Sequence, residues 1–362
     1  MKNRSRSLRA LALLLCAVLL ICCFSGCKKN KKEPMAEAQQ SAAPTGEAVQ
    51  TKEEEKKPLT DYNRLTGLDD LSNKAKGKRP VAIMINNIKA SLPQYGIAGA
   101  DLMFECIVEG GITRMMAVFA DYTKIPDVCS VRSCRYYFPI LAQGLNAYYI
   151  CFGCNPTLGK NALEKTRIDY IDGNEDYDQL IFGRDPERLK RYSREHTAFV
   201  KGGSLPQFFK ERGINMNYAP GKDDYIFNFR KPKAVSDQAC ESVRLNFSKS
   251  YYTTFSYDSD SKVYLKTHCG NRHMDTAANK QLQYTNVIIL ETDVELVNGG
   301  PLVKYGWQGT GYYLSYGTVR KITWIKKSYD DPLLLMNENG KEIQINEGTS
   351  YIGMLGYNST VF

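Results

Sequence analysis

The chain has 362 residues, 43% of them hydrophobic, with 28 Gly and 14 Pro; this is a globular composition that excludes collagen-like and low-complexity architectures, and its length predicts two domains. Formal charge is +9, but Lys2, Arg4, Arg6 and Arg9 stand in the leader, and from Cys27 onward 44 basic residues face 39 acidic ones. That remainder forms no basic stripe, so no nucleic-acid partner is expected, and three His limit any His-built metal site.

The N-terminus has the three parts of a secretory leader. A basic stretch, Lys2–Arg9, precedes an apolar run, Leu11–Phe24, and then Phe24-Ser25-Gly26-Cys27. A run of about 14 residues is short for a membrane span of about 20 and fits a signal-peptide core. Small residues directly before a Cys resemble the lipobox cut by lipoprotein signal peptidase. Residues 1–26 are therefore predicted as a lipoprotein signal peptide and Cys27 as the lipidated mature N-terminus, on the outer face of the cytoplasmic membrane. The other reading is an uncleaved anchor, and Phe24 stands where lipoboxes usually carry Leu; both readings translocate the rest of the chain. Residues 27–60 lack the apolar content to offset ordering entropy and are predicted as a disordered tether.

An α/β sandwich domain is expected over 61–232. Val81–Asn86, preceded by Arg79-Pro80, is a continuous apolar run and reads as a buried strand. Ala100–Val108 and Ile112–Ala120 read as a hairpin around Glu109-Gly110-Gly111. Tyr136–Leu145, Leu158–Lys165, Pro186–Tyr192 and Leu205–Arg212 have helical composition, and Ala147–Phe152 reads as a further buried strand. After Lys231-Pro232-Lys233 the pattern changes to short alternating segments from Val243–Phe247 to Glu342–Ile345, separated by turn signals such as Asn337-Glu338-Asn339-Gly340. A β-rich domain is expected over 233–362, making the whole chain α+β.

The densest chemistry lies in Glu109-Gly110-Gly111-Ile112-Thr113-Arg114 and Val131-Arg132-Ser133-Cys134-Arg135-Tyr136. Three Arg can hold phosphate or carboxylate through forked hydrogen bonds; equally, Arg and Glu can form an internal network that fixes the turns. Arg132 and Arg135 share a face only if the chain turns at Ser133. With that turn, Arg114, Arg132 and Arg135 are expected to converge with Glu109 and His196 on one concave face. His196 is a candidate acid/base, an anion ligand, or an ordinary hydrogen-bonded side chain. His268, His273 and Asp275 match no tight metal motif and are expected on a loop.

Seven cysteines follow the tether: Cys106, Cys129, Cys134, Cys151, Cys154, Cys240 and Cys269. Cys151-Phe152-Gly153-Cys154 is a CxxC. With Cys129 and Cys134 it permits disulfides, free thiols, a four-thiolate metal site or a redox pair, and one of Cys129 or Cys134 is expected close to one of Cys151 or Cys154. No nucleotide-binding, serine-hydrolase or zincin motif is present, and no cofactor is implied.

Arg79-Pro80-Val81-Ala82-Ile83-Met84-Ile85, Pro93-Gln94-Tyr95-Gly96-Ile97, Ala100-Asp101, the Glu109–Arg114 run and Val131-Arg132-Ser133-Cys134-Arg135 together resemble the YerB-like lipoproteins, a bacterial family of two adjacent domains. So do Tyr264, His273–Asp275, Asn286-Val287-Ile288, Gly309-Thr310-Gly311 and Trp324-Ile325-Lys326. The resemblance implies a cell-surface lipoprotein with no established activity, and maps a recurring polar motif onto Glu109, Thr113, Arg114, Arg132, Ser133, Arg135 and His196. The chain departs from the pattern where relatives carry His-Ala-Gly-Gly-Ser and it has Cys151-Phe152-Gly153-Cys154-Asn155. Three functions follow as expectations: binding of an anionic group of a wall glycan or peptide; an envelope phosphotransferase or hydrolase using Glu109 or His196; or a scaffold docking a membrane protein through its β domain.

Overall fold

The computed structural model describes residues 61–219, 221, 226–297 and 302–362, all within one compact unit running from Lys56 to Phe362. The leader, Cys27 and the tether lie outside the described residues. Among the described residues no helix is long and apolar enough to cross a membrane.

The fold is α+β, with strands far outweighing a few short helices. Its spine is a ten-stranded mixed sheet to which both halves of the chain contribute. Val81–Asn86 is buried along its whole length, as its apolar run requires. It pairs antiparallel with Thr113–Phe119 on one side and parallel with Tyr148–Cys151 on the other. Leu102–Ile107 and Thr113–Phe119 form the expected hairpin, closing at Ile107 opposite Thr113. Gly110 and Gly111 turn it at φ +74° and +69°, a region other residues enter only at a cost.

The halves join at Ser350–Gly356. This strand lies between Leu102–Ile107 and Asn286–Thr292, parallel to both. Gln308–Ser315, Thr318–Ile325 and Leu334–Met336 then extend the sheet antiparallel. The segments on either side of residue 232 thus share one hydrogen-bonded sheet.

Alternation along the strands sends side chains to two cores. Ala82, Met84, Phe104 and Met116 face one core with Tyr137, Phe138 and Leu141 of the helix Tyr137–Gly144 and with Trp324. Val81, Ile83, Met103 and Met115 face the other with Phe208 and Phe209 of the helix Leu205–Glu211. A second, antiparallel sheet covers this second face through Leu245 of Ser242–Asn246, Phe255 of Tyr252–Asp258 and Tyr264 of Val263–His268. The helix Pro186–Leu189 starts as its sequence signals, with Pro in the first turn and the Asp185 carboxylate accepting from the N–H groups of Glu187 and Arg188.

Candidate functional site

The segment 130–134 is clamped across the carboxyl ends of two parallel strands. Asn86 N donates to Ser130 O and Arg132 N to Met84 O; Phe152 N donates to Arg132 O, and Cys134 N to Gly153 O. Ligand crevices in sheets of parallel strands open at this edge. Here a cavity of about 470 Å³ is lined by Arg132, Ser133, Gly153, Cys154, Arg184, Arg194 and Glu195, among others. Three arginines and one glutamate thus line it. Arg132 donates to Glu195 Oε2 at 2.5 Å, while its Nε is buried with no acceptor among the described residues. Arg184 lies over the Phe152 ring, 4.4 Å from its centroid, and donates to Arg194 O at 2.7 Å. Burial, and then the like charges of Arg194 and Arg132, pull its pKa below the usual arginine value. An anion in the cavity would relieve that repulsion.

Of the seven positions singled out by sequence, only Arg132 and Ser133 line this cavity. The expected convergence on one concave face is therefore corrected. Regular strand ends at Cys129, not at Ser133, and residues 130–136 run irregularly with isolated bridges at Val131 and Cys134; this path sends Arg132 and Arg135 to different carboxylates. Arg135 forms a fork on Glu109, Nε to Oε2 at 2.7 Å and Nη2 to Oε1, and also donates to Cys134 O at 2.8 Å. Burial alone would raise the Glu109 carboxyl, but the Arg135 fork outweighs it and holds the pKa below the ordinary value. That suits a fixed counter-ion and not a proton shuttle. Arg114 is buried, donates to Ser133 O at 2.7 Å and supports the turn from beneath. His196 is buried against the cavity wall: its Nδ1 accepts from Asn86 Nδ2 at 3.0 Å, and its Nε2 lies 3.6 Å from Glu195 Oε1. Burial lowers its pKa, so it stays neutral. Arg184 and Arg194 carry no sequence signal of their own because they stand among Arg188, Lys190 and Arg191 in a charge-rich stretch, some fifty residues or more from Arg132.

The four-cysteine metal site is also corrected. No group of three His, Cys, Asp or Glu among the described residues is placed to hold a metal ion. Cys129 lies apart, beside Tyr95 and Asp185, because its strand, Val128–Cys129, pairs with Ala198–Val200. Cys134 instead stands opposite Cys154 in an isolated parallel bridge, which is the expected proximity.

Thr113 belongs to a second, wholly buried polar cluster that the sequence reading missed. The Glu105 carboxylate accepts from Thr113 Oγ1 at 2.8 Å, Asn87 Nδ2 at 3.0 Å, Tyr351 OH at 2.9 Å and Thr253 Oγ1 at 3.1 Å, and Lys266 Nζ lies 3.1 Å away. Lys266 also donates to His273 Nδ1 at 2.9 Å, and His273 Nε2 donates to Gln94 Oε1 at 2.9 Å. His268 ends the strand Val263–His268 and His273 links two short strands, and both are buried, at 1% and 2% exposed, rather than on an open loop. Asp275 is consumed by backbone, accepting from the N–H groups of Ile97, Ala98, Ala277 and Ala278. A signal was available: one Glu inside the apolar run Leu102–Ile107 must find partners when buried on both faces.

This cluster sets an acid limit on stability. Burial, and then Lys266, push His268 down to about 4 and His273 well below its usual range. In the unfolded chain both return to about 6.5. Below that pH the unfolded state binds protons that the fold refuses, so stability is present above pH 6.5 and falls on acidification toward pH 4. His268 alone should account for about 3 kcal/mol across that window, at about 1.36 kcal/mol per pKa unit. Urea unfolding at pH 7 and pH 4.5 measures it. Equal midpoints would show that these rings are protonated in the fold.

Residues 65–215 match the family profile described as the N-terminal domain of a protein of unknown function, DUF3048, and residues 243–352 match its C-terminal domain. The chain belongs to this family. It is 26% identical over 266 residues to YerB of Bacillus subtilis (strain 168), named as a proposed lipoprotein, covering 72% of this chain and 76% of that one. A crystal structure of the YerB protein from Bacillus subtilis superposes with a TM-score of 0.70 at 22% identity, over 83% of this chain and 98% of that chain, which shows the same fold.

Proposed function

We propose that the protein is a lipid-anchored binding protein of the outer face of the cytoplasmic membrane, and that the cavity at Arg132 takes an anionic group of an envelope glycan or peptide. The leader ending at Cys27 and the lipoprotein name of the relative support the anchoring. One observation carries the binding: Arg132, Arg184, Arg194 and Ser133 line a cavity with a single acidic residue, Glu195, and a buried N–H of Arg132 lacks an acceptor among the described residues. The cation set is Arg132, Arg184 and Arg194; Arg114 and Arg135 brace the turn. Glu109 and His196 do not line the cavity, which weighs against the phosphotransferase or hydrolase alternative.

Calorimetric titration with inorganic phosphate and with acetate, at constant ionic strength in chloride, tests this reading. Arg132→Ala should weaken phosphate binding by about 1.5–3 kcal/mol, the scale of a charge-assisted hydrogen bond. Arg132→Lys should recover only part, because an ammonium lacks the fork. Thermal stability should barely change, since the Arg132–Glu195 pair is partly exposed and such pairs contribute little. No saturable heat with either anion, or unchanged affinity in Arg132→Ala, leaves the cluster as framework and favours the scaffold.

A further inference from the structure

We propose that Cys134 and Cys154 form a thiol–disulfide exchange pair opening into the arginine-lined cavity, with Cys154 as the attacking thiolate, Cys134 as the resolving thiol and a small disulfide as substrate. The two residues are direct partners in a parallel bridge. Neighbouring strands lie about 4.7–4.9 Å apart, inside the Cα window of about 4.4–6.8 Å that a disulfide requires. The two thiols are close enough to influence each other's titration. Access is asymmetric: Cys154 is half-buried and lines the cavity, while Cys134 is buried behind it. An incoming disulfide therefore meets Cys154 first.

Two neighbours favour a thiolate at Cys154. The helix Leu158–Thr166 begins against this sulfur, so closely that a Cβ at Gly159 would come within 2.5 Å of Cys154 Sγ. A helix N-terminus carries partial positive charge and stabilises an adjacent thiolate. Interaction with Cys134 lowers the Cys154 pKa against the opposing effects of burial, Asp172 and Glu175, whereas burial raises that of Cys134. Cys151, the other member of the CxxC, is fully buried in its strand and is not part of the pair.

The chemistry balances with the disulfide as oxidant. Cys154 S⁻ attacks one sulfur of RSSR, forming a mixed disulfide and releasing RS⁻, which takes a proton from water. Cys134 then loses its proton and attacks the Cys154 sulfur, expelling the second RS⁻, which is protonated in turn. Two protein thiols are oxidised to one disulfide, and one RSSR is reduced to two RSH.

The full chain treated with bis(2-hydroxyethyl) disulfide tests this, and an uncharged probe keeps the result independent of anion binding. Peptide mapping of the oxidised wild type should find Cys134 joined to Cys154. Cys154→Ser should slow oxidation of Cys134 at least tenfold, Cys134→Ser should trap a mixed disulfide at Cys154, and Cys151→Ser should react as wild type. A map showing Cys151 joined to Cys154, or both Cys134 and Cys154 still reduced in folded wild type, overturns the proposal even if the buried Cys134→Ser variant fails to fold.

Discussion

Lys266→Met should destabilise the protein by about 3–5 kcal/mol at pH 7, the cost of leaving a buried charge without its partner. Lys266 and Glu105 are both 0% exposed, and their head groups lie 3.1 Å apart. Glu105 would keep its hydroxyl and amide donors but lose its cation in a setting that water does not reach. A loss of that size is a third or more of the stability of a typical domain. Glu105→Leu should cost a similar amount by stranding Lys266. The double variant should cost much less than the sum, because an apolar pair avoids the desolvation penalty altogether. Urea unfolding of the three variants measures the coupling. Strict additivity would show that the two groups do not interact as an ion pair.

The fragment 61–232 should not fold alone, although a family profile matches most of it as a unit. Without the C-terminal segment, Leu102–Ile107 loses Ser350–Gly356 along its whole edge. Met103 loses the cover of the second sheet, whose Phe255 packs on Tyr351 with ring centroids 4.7 Å apart. Glu105 loses Thr253, Lys266 and Tyr351 together. What remains is an unpaired apolar edge with a buried carboxylate, a template for aggregation. Residues 58–362 should give one cooperative thermal transition, and the fragment none. A cooperative melt of soluble 61–232 would show that the N-terminal half is an independent domain.

The sequence by itself determined the local elements whose cause is local. A continuous apolar run made Val81–Asn86 a strand buried on both faces. A glycine pair closed the next hairpin, Pro and Asp started the helix at Pro186, and the early basic, apolar and Cys27 pattern suggested the leader. Turn signals and alternation made the C-terminal half β-rich. Only the tertiary structure decided how these parts combine. Ser350–Gly356, which joins the halves, carries no clear strand signal because Gly353 and Gly356 interrupt its pattern; a Cβ at Gly353 would come within 2.6 Å of Leu245 Cδ2. The arginines that stand close along the chain separate in space for a related reason. Nearness in sequence gathered Arg114, Arg132 and Arg135, but a guanidinium is satisfied by whichever carboxylate the fold brings to it. Glu109 took Arg135, and Glu195 took Arg132. Arg184 and Arg194 reached the cavity through the packing of separate segments, and no spacing along the chain encodes that contact.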